Sequence, residues 1–523
     1  MKGFFRKMTL LVAMGVLLMM TVVEAADGSA ELLIFHTNDM HSRVSSDDED
    51  GQTIGLAEMN AVVKAAKLKN PDTLWLDAGD TFHGMPRINI SRGENMVTLL
   101  NETELDALSP GNHDYNYGTE RLKALSKKLK ATILSANTVK KGSGKNIFKP
   151  YKIYKLANNI KVGVFGLTTP ETAHKSNPKN TEGIEFLNPV EQAQLMADKL
   201  KGKCDVVVAV MHMGVDKSSE YTSERIARET TGVDVIIDGH SHTELPEGMA
   251  VGDTLIAQTG AHGKQLGCVQ VKIENHKIVS KEANLLYKDD VKNLAPIPDM
   301  AVKSTLKAIE TRNEKLLSEV VAHSDRSLSG DRLIVRRYES ELGNLTADAF
   351  RWRTGADIAV MNGGGMRADL PAGDVTRGDI LAIYPFGNIL QVVEVSGKDV
   401  RDMLERSVFG FPATFGGFLA PSGVTFAFDA TQPIGRRVSD IRVNGKPLDD
   451  NKTYTLAALD FMLAGGDGYT MLKDKKIVAN YDSCEEIVAD YINQVGMDGI
   501  EVGRIKLLKE IEISDDELTK EAA

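Results

Sequence analysis

Asp77-Ala78-Gly79-Asp80-Thr81 follows directly on the apolar run Thr73-Leu74-Trp75-Leu76. A short run of β-branched, aromatic and aliphatic residues bounded by Gly and Asp reads as a buried strand ending in a tight loop. The pattern recurs along the first half. Glu31–His36 leads into Asn38-Asp39-Met40-His41, and Leu105-Asp106-Ala107-Leu108 into Gly111-Asn112-His113-Asp114. Asp205–Met211 runs into His212-Met213-Gly214, and Val233–Ile237 into Asp238-Gly239-His240-Ser241-His242. Helical spacing fills the intervals Ile54–Lys69, Glu94–Asn101 and Thr119–Lys130, and further strands are expected at Ala131–Ala136, Lys161–Leu167, Thr254–Gln258 and Cys268–Ile273. Strand, loop and helix in alternation predict a layered α/β domain.

The chain has 523 residues, too many for a single core, so two domains and a connector are expected. Asn293–Val320, rich in helix formers and without strand signal, reads as a linker helix. The expected boundaries are 1–25 for a signal peptide, 30–290 for the first domain, 291–322 for the linker, 323–510 for the second domain and 511–523 for an acidic tail. Lys2, Arg6 and Lys7 precede the apolar Met8–Val23, and Val23-Glu24-Ala25 offers a small-residue exit, as in a cleaved secretory leader. Export to a periplasm or the medium follows, with no stable membrane anchor. Net charge is −11, and −13 once such a leader is removed. That charge argues against a nucleic-acid polymer as partner. Cys204, Cys268 and Cys484 are too few and too scattered for a disulfide framework, so they are expected as buried thiols. The oligomeric state is left open.

The loop residues carry chemistry. Carboxylate, imidazole and amide oxygen suit hard divalent cations, and two such ions sharing one carboxylate activate water and clamp a phosphoryl oxygen. Asp39, His41, Asp80, Asn112, His212, His240 and His242 supply enough donors for two ions, with Asp80 as the shared carboxylate. Five of the 11 histidines fall in these loops, counting His113. Asp-x-His alone occurs by chance, and Gly-Asn-His-Asp alone makes a capped turn. Four ligand-bearing loops besides that of Asp80, each after a strand, are what point to a two-metal site.

This series, Asp-x-His, Gly-Asp, Gly-Asn-His-Asp, His and Gly-His-x-His, resembles calcineurin-like metallophosphoesterases, and the second half resembles the C-terminal domain of 5'-nucleotidases. The resemblance runs from about Leu32 to Leu508. It implies a β-sandwich core in the first domain and a second α/β domain that binds substrate. It implies one ion on Asp39, His41, Asp80 and His242 and another on Asp80, Asn112, His212 and His240. Donors of this kind admit Mn2+, Zn2+, Co2+ or Fe. His113 would face the phosphate and assist the leaving oxygen. Many relatives orient that histidine with an aspartate three residues on; here the position is Asn116, an amide that bonds an imidazole but brings no charge. His242 stands where some relatives carry an amide.

In the second half, Arg336, Arg337 and Arg367 offer guanidinium forks for phosphate, and Arg367 closes the turn Asn362-Gly363-Gly364-Gly365-Met366. Phe386 and Phe461 each place a ring beside a turn, as for stacking on a flat base. The resemblance makes Phe386 and Phe461 a base clamp, Asp467 a ribose contact, and Asn112, Arg336, Asn362 and Arg367 substrate contacts. It gives Gly416-Gly417-Phe418 a structural role. With metals and clamp on different domains, it also implies domain closure. The expected activity is hydrolysis of nucleoside 5'-phosphates, extending to UDP-sugars. A 2',3'-cyclic nucleotide phosphodiesterase with 3'-nucleotidase activity, and a non-catalytic exported nucleotide-binding protein, are the alternatives.

Overall fold

The computed structural model describes residues 28–509 except 177, 217, 218 and 501. The expected leader and acidic tail lie outside the described residues. Among these residues no helix is long and apolar enough to cross a membrane. The described residues of Met1–Ala173 and Asn180–Thr311 form one compact unit, and those of His174–Lys179 and Arg312–Ala523 a second.

The first unit is built on twelve strands in two sheets. They are β1 (Ala30–Thr37), β2 (Thr73–Asp77), β3 (Ala107–Leu108), β4 (Thr132–Ile133), β5 (Tyr151–Lys155), β6 (Lys161–Thr168), β7 (Val206–His212), β8 (Val235–Ile237), β9 (Met249–Val251), β10 (Thr254–Ala257), β11 (Leu266–Glu274) and β12 (Lys277–Leu286). One sheet has the order β12-β11-β1-β2-β3-β4 and the other β9-β10-β8-β7-β6-β5. Strands β1 to β4 run parallel, as do β6, β7, β8 and β10.

Alternation along each strand decides the layering. Leu32, Ile34 and Leu76 of the first sheet meet Val164, Val208, Val210 and Ile237 of the second in one buried cluster. Phe35 and Trp75, on the opposite face, pack under Met59, Val62 and Val63 of the helix Leu56–Lys69. Phe165, Ala209 and Met211 pack under Ala193, Met196 and Leu200 of the helix Pro189–Leu200. The result is a β-sandwich with a helical layer outside each sheet. Strands buried on both faces read as unbroken apolar runs, which is why they stand out in the sequence.

Some elements differ from the sequence reading. The strand expected over Ala131–Ala136 shrinks to Thr132–Ile133 at a sheet edge. The helix expected over Asn293–Val320 is two, Lys288–Leu294 and Met300–Leu317, parted around Pro296 and Pro298; proline disfavours helical backbone in the residue before it. Strand β12, largely polar, is formed by a hairpin whose Asn275 and His276 take φ of 51° and 59°. Positive φ at both residues is the geometry usually announced by Asn-Gly, and Asn-His announces no such turn.

In the second unit a five-stranded sheet has the order Leu419–Ser422, Ile358–Asn362, Thr453–Leu459, Ile389–Ser396, Ile477–Ser483. The helices Glu341–Thr354 and Cys484–Gln494 bury Leu345, Phe350, Ile487 and Val488 against Ala359 and Val392. On the other face Val400 and Leu404 join Val360, Val393 and Phe426. Cys204, Cys268 and Cys484 are free thiols, the last two buried.

Candidate metal centre

The ligand-bearing loops leave the carboxyl ends of β1, β2, β3, β7 and β8. Ligand crevices form outside the carboxyl ends of strands in open α/β sheets. Asp39, His41, Asp80, His240 and His242 all have left-handed backbone, with φ from 44° at His41 to 80° at His240. Such conformations cost about 1–3 kcal/mol each for non-glycine residues and gather where a site over-determines them. Gly111 is forced by close approach: a Cβ there would collide with Asp80 Oδ1 and His212 Cε1.

Asp39 and Asp80 are both buried, at 0% and 2% exposure. In each, one oxygen is tied back and the other faces inward. Asp39 Oδ2 accepts from Asn38 Nδ2 (2.7 Å) and from the His240 backbone N–H (2.9 Å). Its Oδ1 lies 3.4 Å from His242 Nε2 and 3.8 Å from His212 Nε2. Asp80 Oδ1 accepts from the His113 backbone N–H (2.7 Å), while Oδ2 lies 3.3 Å from His212 Nε2 and 3.9 Å from His41 Nε2. His41 and His242 bring their Nε2 atoms within 3.2 Å. Two groups of donors could thus each hold a cation: Asp39, His41 and His242, and Asp39, Asp80 and His212.

A metal fits this chemistry. Asp39 Oδ1, Asn112 Oδ1 and His212 Nε2 are buried and without a hydrogen-bond partner among the described residues. Orphaned buried polar atoms are costly; Asp39 Oδ1 and His212 Nε2 lie 3.8 Å apart, and a cation would satisfy both. Electrostatics agrees. Burial would push His212 down, but Asp80 and Asp39 override it and hold the imidazole up at about 10. Burial drives His41 well below its usual value despite Asp80. Both carboxylates are held below their ordinary range: burial opposes this, and it is outweighed by His212 and His242 at Asp39, and by His212 and His113 at Asp80.

Buried carboxylates hold the loops. Asp114 takes four backbone N–H groups, from Asp80 (2.9 Å), Thr81 (2.8 Å), Phe82 (2.8 Å) and Gly111 (2.9 Å). It therefore fastens the Asp80 loop to the Asn112 loop. Burial and the Asp80 charge push it up, to about 7, against the pull of those donors. Asp77 accepts from Thr37 and Thr81 hydroxyls at 2.6 Å, and Asp238 from the Met213 and Gly214 amides. Asn116 Nδ2 lies 3.0 Å from His113 Nδ1.

His83, His262 and Glu171 escaped the sequence reading. The His83 ring is nearly parallel to that of His113, centroids 6.0 Å apart, and His262 lies 5.8 Å from His41. Glu171 Oε2 is 3.0 Å from His240 Nε2. His83 stands only three residues beyond Asp80, which was the available signal; the other two have none.

Of the expected substrate residues Asn112 belongs to the first unit, and the others sit in the second. Asn362 ends its strand and donates from Nδ2 to Asp467 Oδ2 (3.0 Å). Asp467 is left-handed, φ 53°, and its carbonyl accepts from Arg406 Nε (2.9 Å). The Arg406 guanidinium lies over Phe409 and Phe415, 4.5 and 4.7 Å from the ring centroids; it too went unpredicted. Arg367 lies 5.8 Å from the Phe386 ring centroid. Arg336 is buried, and Phe461 is half-buried against the core. Arg337 lies over the Tyr338 ring. The Gly363 and Gly364 amides donate to Phe418 and Gly416 carbonyls at 2.7 Å, so the Gly416–Phe418 loop braces the glycine turn.

Residues 32–244 match the calcineurin-like phosphoesterase family, and residues 320–474 match the 5'-nucleotidase C-terminal domain. A snake venom 5'-nucleotidase of Naja atra is 30% identical over 90% of this chain and 97% of its own. The chain belongs to the 5'-nucleotidase family. A 5'-nucleotidase of Vibrio cholerae serotype O1 is also 30% identical, over 89% of this chain and 91% of its own. The crystal structure of a 5'-nucleotidase precursor from Thermus thermophilus superposes with a TM-score of 0.77 at 32% identity, covering 92% of this chain and all of that one. This member of the 5'-nucleotidase family thus pairs a metallophosphoesterase domain carrying Asp and His donor groups with a second domain of the family's own type.

Proposed function

We propose that this chain is an exported hydrolase of nucleoside 5'-monophosphates, acting also on UDP-sugars, with two divalent cations drawn from Mn2+, Zn2+ and Co2+. The observation that carries this reading is the pair of half-tethered carboxylates: Asp39 Oδ1 and Asp80 Oδ2 face inward among His41, His212 and His242. Divalent cations held there supply positive charge to a phosphoryl group and acidify a water. Asp39 is common to the two donor groups; Asp80 Oδ2, 3.3 Å from His212 Nε2, also lies 3.9 Å from His41 Nε2, and that second approach is what supports Asp80 as a shared carboxylate. Asn112 completes the set with its buried amide oxygen, and His240 with its imidazole.

His113 is held on its Nδ1 side by Asn116. An amide N–H donated to Nδ1 places the ring proton on Nε2, so His113 becomes a donor for the phosphate or for the departing nucleoside oxygen. Asn116 orients the ring without adding charge. In the second unit, Arg336, Arg367 and Asn362 contact the substrate, Phe386 and Phe461 take the base, and Asp467 takes the ribose. The sequence identity to named 5'-nucleotidases supports this division.

The test is a substrate panel. Protein saturated with Mn2+ is given AMP, 3'-AMP, 2',3'-cyclic AMP and UDP-glucose, and free phosphate and nucleoside are measured. Phosphate from AMP at the highest rate is expected. Turnover of 2',3'-cyclic AMP and 3'-AMP without AMP, or no turnover with two ions bound, would overturn the assignment.

A further inference from the structure

Glu171 follows β6 through Thr169-Pro170 and belongs to none of the ligand-bearing loops. Its Oε2 lies 3.0 Å from His240 Nε2, and the two side chains are only 13% and 8% exposed. His240 is fixed at its other end by its backbone N–H, which donates to Asp39 Oδ2 at 2.9 Å. The ring stands beside that of His212, centroids 5.0 Å apart.

A carboxylate accepts hydrogen bonds and does not donate them, so the ring proton facing Glu171 must sit on Nε2. The lone pair of a neutral His240 is then on Nδ1. His212 is arranged the opposite way. Its Nδ1 lies 2.6 Å from the Ala78 carbonyl oxygen, which accepts the proton there, and its Nε2 is the orphaned atom. The two neighbouring imidazoles therefore offer unlike nitrogens. Carboxylates and carbonyls behind a ligating histidine fix its tautomer and ring angle.

We propose that Glu171 is a positioning residue that makes Nδ1 of His240 its metal-donating atom and holds the ring at the angle that atom requires. This rests on the reading of His240 as a ligand. Glu171 acts through His240, on whose Nε2 its carboxylate is placed.

The experiment is a titration of metal-stripped protein with Mn2+, free Mn2+ being read by electron paramagnetic resonance. Wild type, Glu171→Ala, Glu171→Gln and His240→Ala are compared, and the melting temperature of each metal-free protein is recorded alongside. Glu171→Ala should keep the metal-free melting temperature and weaken one of two Mn2+ sites by about 10–100-fold. Glu171→Gln, whose amide oxygen still accepts from Nε2, should recover most of that loss. Unchanged Mn2+ affinity in Glu171→Ala would overturn the proposal. So would a Glu171→Gln protein as weak as Glu171→Ala, since that is the behaviour of a direct ligand. Unchanged binding in His240→Ala would instead overturn the ligand assignment itself.

Discussion

His36 gives a prediction whose size follows from its burial. The residue is the last but one of β1, on the face that carries Leu32 and Ile34. It stands opposite Gly267, where a Cβ would overlap the imidazole. It is fully buried, and neither ring nitrogen has a hydrogen-bond partner among the described residues. Burial pushes it down from 6.5 to about 3. The unfolded chain then takes a proton below 6.5 that the folded chain refuses until about 3, so stability falls as pH falls through that window. At pH 5, about 1.5 units below the unfolded value, the loss is about 2 kcal/mol at roughly 1.4 kcal/mol per unit. Replacing His36 by Leu removes the titration and the two orphaned atoms. The assay is urea denaturation at about pH 7.5 and pH 5, followed by Trp75 fluorescence in a Trp352→Phe background, so that the first unit alone is reported. Between the two pH values, wild type should lose about 2 kcal/mol more than His36→Leu. Comparing the two changes cancels any packing strain in the variant. Equal losses would refute the burial argument.

Asp114→Asn should turn one of the two acceptor oxygens into a donor and leave two backbone N–H groups unsatisfied, costing about 2–6 kcal/mol at ~1–3 kcal/mol per group; urea denaturation measures it, and Mn2+ binding should weaken as the Asp80 and Asn112 loops part. Stripping divalent cations should abolish phosphate release from AMP, and adding Mn2+ should restore it, whereas Asp80→Ala should stay inactive at any Mn2+ concentration while still binding nucleoside by calorimetry. Phe461→Ala should lose about 1–3 kcal/mol of base stacking, read as a higher KM for AMP and weaker discrimination among bases with phosphate release retained.

Much of the first domain was legible because its strands are buried on both faces. Val206–His212 and Thr73–Asp77 are continuous apolar runs, and each ends in a loop whose residue types admit few uses. Asn-His at 275–276 carried no hairpin signal, so β12 was not legible. Arg406 looked like any helix-end arginine until the rings of Phe409 and Phe415 were seen beside its guanidinium.

From residue types and order alone came the two-domain plan, the chemistry of the donor set and the family. Those are carried by local pattern: apolar runs, glycine turns, and which side chains own oxygen or nitrogen. Tertiary structure alone decided that Asp114 clamps backbone rather than steering its neighbour His113, that one oxygen of Asp39 and one of Asp80 face inward, and that Glu171 stands behind His240. Each depends on which way a side chain points once loops separated by tens to hundreds of residues are pressed together. Spacing in the chain does not encode that direction; packing of the two sheets does.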